Sequence, residues 1–526
     1  MESSDYDLIV TEELKILYFK YQNAVLLESG VILSSDFESP AIAQIEALAT
    51  SKEVQTSLEE PGIRIRTQRG AAKEIVRLIE QISDRKKDVV LNKPLGEGLA
   101  GTAQDTLQQS INRRASDIHI ELFPNETRIE IRVDGVMLPL QKPIPDFEHG
   151  NRLIGYLFNE LAVNTDGDFY VNKPNNGKIH LSLDTPIKDA AGRETTVKRD
   201  TEWRISYIPS NGGGQCTLRW TNAEVKPRTF AEMGWEPGHE ELIENFNRSS
   251  AGVCLAAGQV GSGKSTVIAR CLETLKRQGR SINTIEDPVE FNLGIIQTSI
   301  NQSEKQENAL FECARLLLRH DVDIEMHGEI RDHNDALMAC RKGETGQLMY
   351  STIHTSSALG IAHTLHEQMG VPTALIAAPN LMKLWIYQTL VRTLCPSCSL
   401  DVDTAKKHLG EKQLQQLNAW FETQMQSVTN VRFKNPDGCE KCNGGEYGRT
   451  ALVEMIALDD EDRSFIIKKD WLGWQDALKA KGFKSIADHA NLKVRRGLID
   501  LFTASEKVDG LIPVNTRTLY SNLWEE

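Results

Sequence analysis

The sequence predicts an α/β protein whose centre is a parallel sheet with crossover helices. Three observations carry that expectation. Strand and helix signals alternate between residues 250 and 390, from "GVCLAAG" through "TVIARCLETLKRQ", "SINTIED" and "DVDIEMHGEI" to "QLMYSTIHT". A glycine-rich turn separates an apolar run from a helical pattern in "LAAGQVGSGKSTVI", Leu255 to Ile268. Two Cys-x-x-Cys pairs follow the last of these strands.

The N-terminal 95 residues mix apolar clusters such as "LKILYFKYQNAVLL" with charged runs such as "SDRKKD", and are expected to form an interaction domain. From 96 to 235 a helical stretch, "TAQDTLQQSINRR", leads into the period-two segments "SDIHIEL" and "TRIEIRVDGV". Asp134-Gly135 marks a tight turn. "GKIHLSL" and "TLRW" add short strands, giving a small α/β domain. The parallel α/β domain is assigned to 236–394, a tetracysteine insert to 395–445 and a helical region to 446–526.

Bulk properties narrow the function classes. With 526 residues, 40% hydrophobic and 25% charged, the chain has the composition of an ordinary globular protein with several domains. A net charge of −14 argues against a generic nucleic-acid binder while leaving room for a local basic channel, as a DNA-uptake motor would need. The polar, acidic start "MESSDYDLIVTEELK" lacks a signal-peptide pattern, and no apolar run is long enough to span a bilayer. A cytoplasmic protein that reaches membranes through partners is the expectation.

Gly258-Gln259-Val260-Gly261-Ser262-Gly263-Lys264-Ser265, followed by Thr266, matches the G-x-x-x-x-G-K-[ST] phosphate loop in its required strand-to-helix setting. Glycines without Cβ atoms let successive N–H groups turn inward around phosphate, and the helix N-terminus adds positive potential. Lys264 would reach the terminal phosphates of ATP, and the Ser265 hydroxyl would ligate Mg²⁺. Carboxylates and a histidine follow at expected strand ends: Glu286, Asp287 and Glu290 in "TIEDPVE", where Pro288 should force a turn, Glu329 in "GEIRD" and His354 in "TIHT". Ligands collect at that edge of open parallel sheets.

Cys395, Cys398, Cys439 and Cys442 form two turns that can present four thiolates to one structural Zn²⁺. The other five cysteines sit among apolar or helical neighbours and read as reduced core residues.

In order along the chain, "ASDIHIE", "RVDGV", "GSGKST", "TIEDPVEF", "GEIRD", "TIHT" and the cysteine pairs resemble the secretion-superfamily ATPases that power type IV pilus assembly and type II secretion. The resemblance implies a PAS-like domain before a RecA-like motor domain, a hexameric ring, an inner-membrane platform protein as partner, and ATP hydrolysis as the fuel for extruding pilin. It further implies Glu290 as general base, Glu329 as the Mg²⁺-fixing carboxylate, His354 as γ-phosphate sensor, and Arg204 and Arg219 as donors to the phosphates. Arg128 and Arg132 are weaker matches, and Glu130 stands where the family often has arginine. The cysteine pairs place the chain with assembly and secretion motors, which extend fibres, since retraction motors typically lack them. The chain departs from the family's usual apolar strand at "DVDIEMHGEI", where Asp323, Glu325 and His327 share one face by period two. Either that face is polar, or the three groups pair with one another or with neighbours. Gln347 replaces a usual histidine and Thr389 a common arginine, while Gln388 is kept.

Overall fold

A computed structural model describes residues 8–514 apart from 22, 38, 59–62, 73–74, 76–77, 80–94, 189–193, 222–225, 288, 301–308, 425–427, and also describes 516, 520 and 522–524. The expected turn at Pro288, the run "SDRKKD" and the chain just before the boundary at 95 lie outside the described residues. The chain divides into two compact units, 1–223 and 224–526.

In the first unit, β1 (Ala24–Leu26) pairs antiparallel with β2 (Val31–Ser34), and β3 (Arg66–Arg69) joins β2 in parallel. Their core gathers Leu14, Tyr18, Ile32 and Ile45. The buried Tyr18 hydroxyl donates to Ile9 O and accepts from Leu26 N. Burial pushes its ionisation upward, against the opposing hydrogen bond from the Leu26 backbone.

The same unit holds a seven-stranded antiparallel sheet. Its strands are β4 (Asp117–Phe123), β5 (Glu126–Val133), β6 (Val136–Pro139), β7 (Ala162–Val163), β8 (Asn175–Lys188), β9 (Glu194–Ser210) and β10 (Gly213–Trp220), in the order β6-β5-β4-β10-β9-β8-β7. Asp134 and Gly135 both take positive φ, 50° and 87°, as a two-residue hairpin between right-twisted strands demands. Alternate residues of β4 (Ile118, Ile120, Leu122) pack with Leu107 of the helix Leu95–Asn112 and Leu153 of the helix Phe147–Tyr156. The opposite face of the sheet is polar, so period two separates core from charge here.

The second unit contains the expected parallel sheet. Its strands are β11 (Gly252–Ala257), β12 (Ile282–Glu286), β13 (Ile296–Ser299), β14 (Ile324–His327), β15 (Leu348–Ile353), β16 (Met382–Leu394) and β17 (Glu446–Ala457), in the order β13-β12-β14-β15-β11-β16-β17. Every neighbouring pair is parallel except β16–β17. The sheet is covered on both faces, so β11 and β15 are buried along their whole length.

Three differences from the sequence-based division have physical causes. Phe230, Met233 and Trp235 bury in the second unit's core, so the stretch that holds them belongs to that unit. The region from 446 opens with a twelve-residue strand, β17, which joins the second unit's sheet through β16 before the helices begin. The stretch between the cysteine pairs shares one core with the last helices: Leu417 and Trp420 pack among Leu452, Val494 and Leu501. No helix among the described residues is long and apolar enough to cross a membrane.

Candidate active site

The phosphate loop runs from β11 into the helix Lys264–Leu275. Gly258, Gly261 and Gly263 take φ of 152°, 75° and 84°, the region that a Cβ disfavours. A Cβ on Gly258 would lie 2.4 Å from Gln388 O, whereas one on Gly261 would meet nothing within 4 Å. Gly261 therefore serves loop geometry and open approach, and Gly258 serves close packing. Gly263 caps the helix in the left-handed region. The first-turn N–H groups at Lys264, Ser265 and Thr266 lack intrahelical acceptors by helical geometry and are open to an anion. The Ser262 hydroxyl oxygen is buried without a partner, a further polar group available at the loop. Lys264 Nζ donates to the carbonyls of Gly258 (2.8 Å) and Gln259 (3.1 Å). Burial lowers its pKa, while the charges of Glu329 and Glu290 act in the opposite sense.

Glu329 follows β14 and Glu290 follows β12, so both carboxylates belong to the sheet's carboxyl edge, where β11 delivers the loop. His354, just past β15, sets Nε2 2.8 Å from Glu329 Oε1. The other Glu329 oxygen accepts from Arg331 Nε at 3.0 Å, and Arg331 also lies 3.8 Å from Asp287. Arg331 thus joins two of the acidic strand ends. Glu286 is engaged elsewhere: it accepts from Thr284 Oγ1 at 2.5 Å and Gln297 Nε2 at 2.9 Å. Lys264, Glu290, Glu329 and His354 are brought together; Glu286 is held as a structural acceptor.

Further back along the same strand, the polar face of β14 resolves into pairs. Asp323 caps Ser281 N at 2.8 Å from the exposed end. Glu325, fully buried, takes His327 Nε2 at 2.7 Å on one oxygen and Lys342 Nζ at 2.6 Å on the other. Burial pushes the Lys342 ammonium pKa down, and Glu325 opposes that shift. Gln347 donates to Val322 O at 3.1 Å.

In the first unit, Arg204 on β9 and Arg219 on β10 stand directly opposite each other on one face, and Arg219 donates to Asp117 Oδ1 at 2.7 Å. Arg132 opposes Asp117 from β5. Arg128 instead pairs with Glu126 and covers the Phe123 ring.

Cys395 and Cys398 follow β16, and Cys439 and Cys442 precede β17. Their sulfur atoms all lie within 4.8 Å of one another, with Cys395–Cys439 at 3.7 Å and Cys398–Cys442 at 3.6 Å. These separations are far too long for disulfides, and they approach the ~3.8 Å edge of a tetrahedron with ~2.3 Å metal–sulfur bonds. The four thiols fit one tetrahedral metal ion. Cys216, Cys254, Cys271 and Cys340 are buried, and Cys313 is half-buried.

The model of the family described as "Type II/IV secretion system protein" matches residues 98–508. The chain belongs to that family. Among its relatives, "Type II secretion system protein E" of Dickeya dadantii is 32% identical over 363 residues, 68% of this chain and 66% of that protein. "Type II secretion system ATPase E" of Vibrio cholerae is 31% identical over 75% of this chain and 72% of its own length. "Type IV pilus assembly ATPase TfpB" of Acinetobacter baylyi is 29% identical over 78% of this chain and 64% of its own length. The chain thus spans about two thirds of the length of several curated relatives it matches. The Legionella pneumophila ATPase DotB has a similar fold, with a TM-score of 0.53 at 18% identity over 79% of this chain and 97% of DotB. Lys342 was not identifiable from sequence as the partner of Glu325, nor Arg331 as the neighbour of Asp287, because only the packing of distant elements brings them there.

Proposed function

We propose that the chain hydrolyses ATP as the motor subunit of a type IV pilus assembly machine. The observation that carries this reading is Lys264 in the phosphate loop, facing Glu290 and the Glu329–His354 pair across one sheet edge. The N–H groups at the helix start and Lys264 bind the phosphates; Ser265 and Glu329 are the residues that would hold Mg²⁺, which would supply charge neutralisation for the transferring phosphoryl group. Glu290 takes the proton of the attacking water. His354, tied to Glu329, senses the γ-phosphate side. Arg204 and Arg219 supply guanidinium donors to the developing anion; they stand directly opposite each other on one face, with Asp117 answering Arg219.

The first unit's main sheet would be the PAS-like domain and the second unit the RecA-like motor. The protein would work as a homo-hexamer on the cytoplasmic side of an inner-membrane platform protein. The four cysteines would hold structural Zn²⁺ that pins the ends of β16 and β17 and takes no part in hydrolysis. A type II secretion motor is the second reading, favoured by the higher identity to relatives bearing that name. Phosphate release by the purified chain with Mg-ATP tests the enzyme. Lys264→Ala should abolish it and Glu290→Gln should nearly do so, with both variants folded; unchanged release in either refutes that residue's role. One zinc per chain by atomic absorption, lost in Cys398→Ser, tests the metal.

A further inference from the structure

Beneath the phosphate loop lies a side chain that the nucleotide chemistry does not use. Gln388, on β16 and buried, donates from Nε2 to Ser262 O at 2.7 Å. Its Oε1 accepts from the indole N–H of Trp235 at 2.7 Å. The glycines at the two ends of the loop let β16 and this side chain come close. A Cβ on Gly258 would strike the backbone carbonyl of Gln388, and one on Gly263 would come 2.9 Å from the side-chain Nε2.

An indole N–H only donates, and an amide oxygen only accepts. The Trp235 contact therefore fixes which way the Gln388 amide faces. With Oε1 committed to Trp235, the NH₂ group must point at the Ser262 carbonyl. Were the amide reversed, oxygen would face oxygen at the loop and N–H would face N–H at the indole.

Trp235 is itself held firmly. Its ring packs on Phe230 with centroids 4.9 Å apart, and its backbone N–H donates to Phe230 O at 2.9 Å. The preceding carbonyl, Gly234 O, accepts from the buried Lys493 ammonium at 2.5 Å. Lys493 also donates to Thr450 Oγ1 and Ala451 O. Trp235 lies on the stretch through which the chain enters the second unit.

We propose that Gln388, oriented by Trp235, is a positioning residue for the phosphate loop, so that nucleotide affinity depends on a hydrogen-bond relay from the chain's entry stretch to Ser262. The inference rests on the nucleotide-binding reading above. It is tested on the full chain by titrating Mg²⁺ and the non-hydrolysable analogue AMP-PNP in a calorimeter. Trp235→Phe keeps the ring packing and removes the donor. Gln388→Glu keeps the acceptor for the indole and replaces the donor to Ser262 with an acceptor.

Trp235→Phe should weaken binding about threefold and Gln388→Glu about tenfold, the range expected for lost buried hydrogen bonds. The double variant should match Gln388→Glu alone, because the indole acts only through the amide. The thermal midpoint without nucleotide should fall by a few degrees in Trp235→Phe, and binding is compared at a temperature where every variant is fully folded. Wild-type affinity in both variants, while Lys264→Ala loses binding, overturns the relay and leaves the nucleotide site standing. Losses that multiply in the double variant overturn it as well. Undiminished binding by Lys264→Ala removes the site and the relay together. Should Gln388→Glu fail to fold, Gln388→Met, which lacks both hydrogen bonds and carries no charge, takes its place with the same expected loss.

Discussion

Glu325 and Glu329 are four residues apart on one strand and its continuation, yet they occupy opposite worlds. Glu325 is sealed in the sheet, clasped by His327 and by Lys342 from the helix His333–Glu344. Glu329 sits past the strand end, paired with a half-exposed His354 and an exposed Arg331. The inner carboxylate has all its charge answered within the protein and no route to a ligand. The outer one has partners that can exchange with water or phosphate. Position along a parallel strand, more than residue type, separates a carboxylate that holds the fold from one left accessible at the sheet's carboxyl edge.

The sharpest way to break this contrast is at the outer end. Glu329→Gln should lower ATP turnover about 100- to 1000-fold, as loss of a charge-positioning group does, with little change in the urea midpoint. A folded variant with near-normal turnover would end the distinction. At the inner end the effects should reverse. Lys342→Met leaves Glu325 with His327 alone, and should cost about 3–5 kcal/mol of stability, the usual loss when one partner of a buried ion pair is removed. Urea unfolding measures it; a loss below about 1 kcal/mol, the worth of an exposed pair, would show that the cluster is wetter than it looks.

A second buried group sharpens the same point through pH. His489 on the helix Ile486–Arg495 accepts from Val453 N at 3.0 Å, faces His239 and Lys493, and has Glu236 at 3.7 Å. Burial first, then Lys493, lowers its pKa to about 4. The folded histidine stays neutral while the unfolded one takes a proton near pH 6.5, so its contribution is complete above that value and drains away as pH falls toward 4. The loss should approach about 3 kcal/mol, at about 1.4 kcal/mol per unit. Unfolding free energies at pH 7 and pH 4.5 should therefore differ less in His489→Gln than in wild type; identical slopes would contradict the assignment.

The smallest effect is expected from removing the inner cluster altogether. Glu325→Leu, His327→Leu and Lys342→Met combined should leave stability within about 2 kcal/mol of wild type, or raise it, because apolar packing replaces ion desolvation. Loss comparable to Lys342→Met alone would mean that the three charges do more than cancel one another.

Much of this site was legible in the chain. The glycine spacing before Lys264 made the loop legible, because the turns at Gly258, Gly261 and Gly263 need φ of 75° to 152°, which a Cβ disfavours. The alternation of apolar runs and helices placed Glu290, Glu329 and His354 at strand ends, since a parallel sheet delivers every strand's C-terminus to one edge. Period two marked Asp323, Glu325 and His327 as one face. It could not tell that Asp323 would end outside β14 as a cap, nor that Lys342 would complete the cluster. That lysine lies seventeen residues after Glu325, and only the packing of its helix on the strand joins them.

By itself, then, the sequence determined local matters: the loop's conformation, the strand and helix periods, and the thiol spacing of each cysteine pair. Those depend on neighbours within a few residues, where backbone geometry leaves few choices. The tertiary structure decided which distant groups meet. Trp235 reaches Gln388 across 153 positions and Cys395 reaches Cys439 across 44, distances along the chain that only a cooperatively packed core can close.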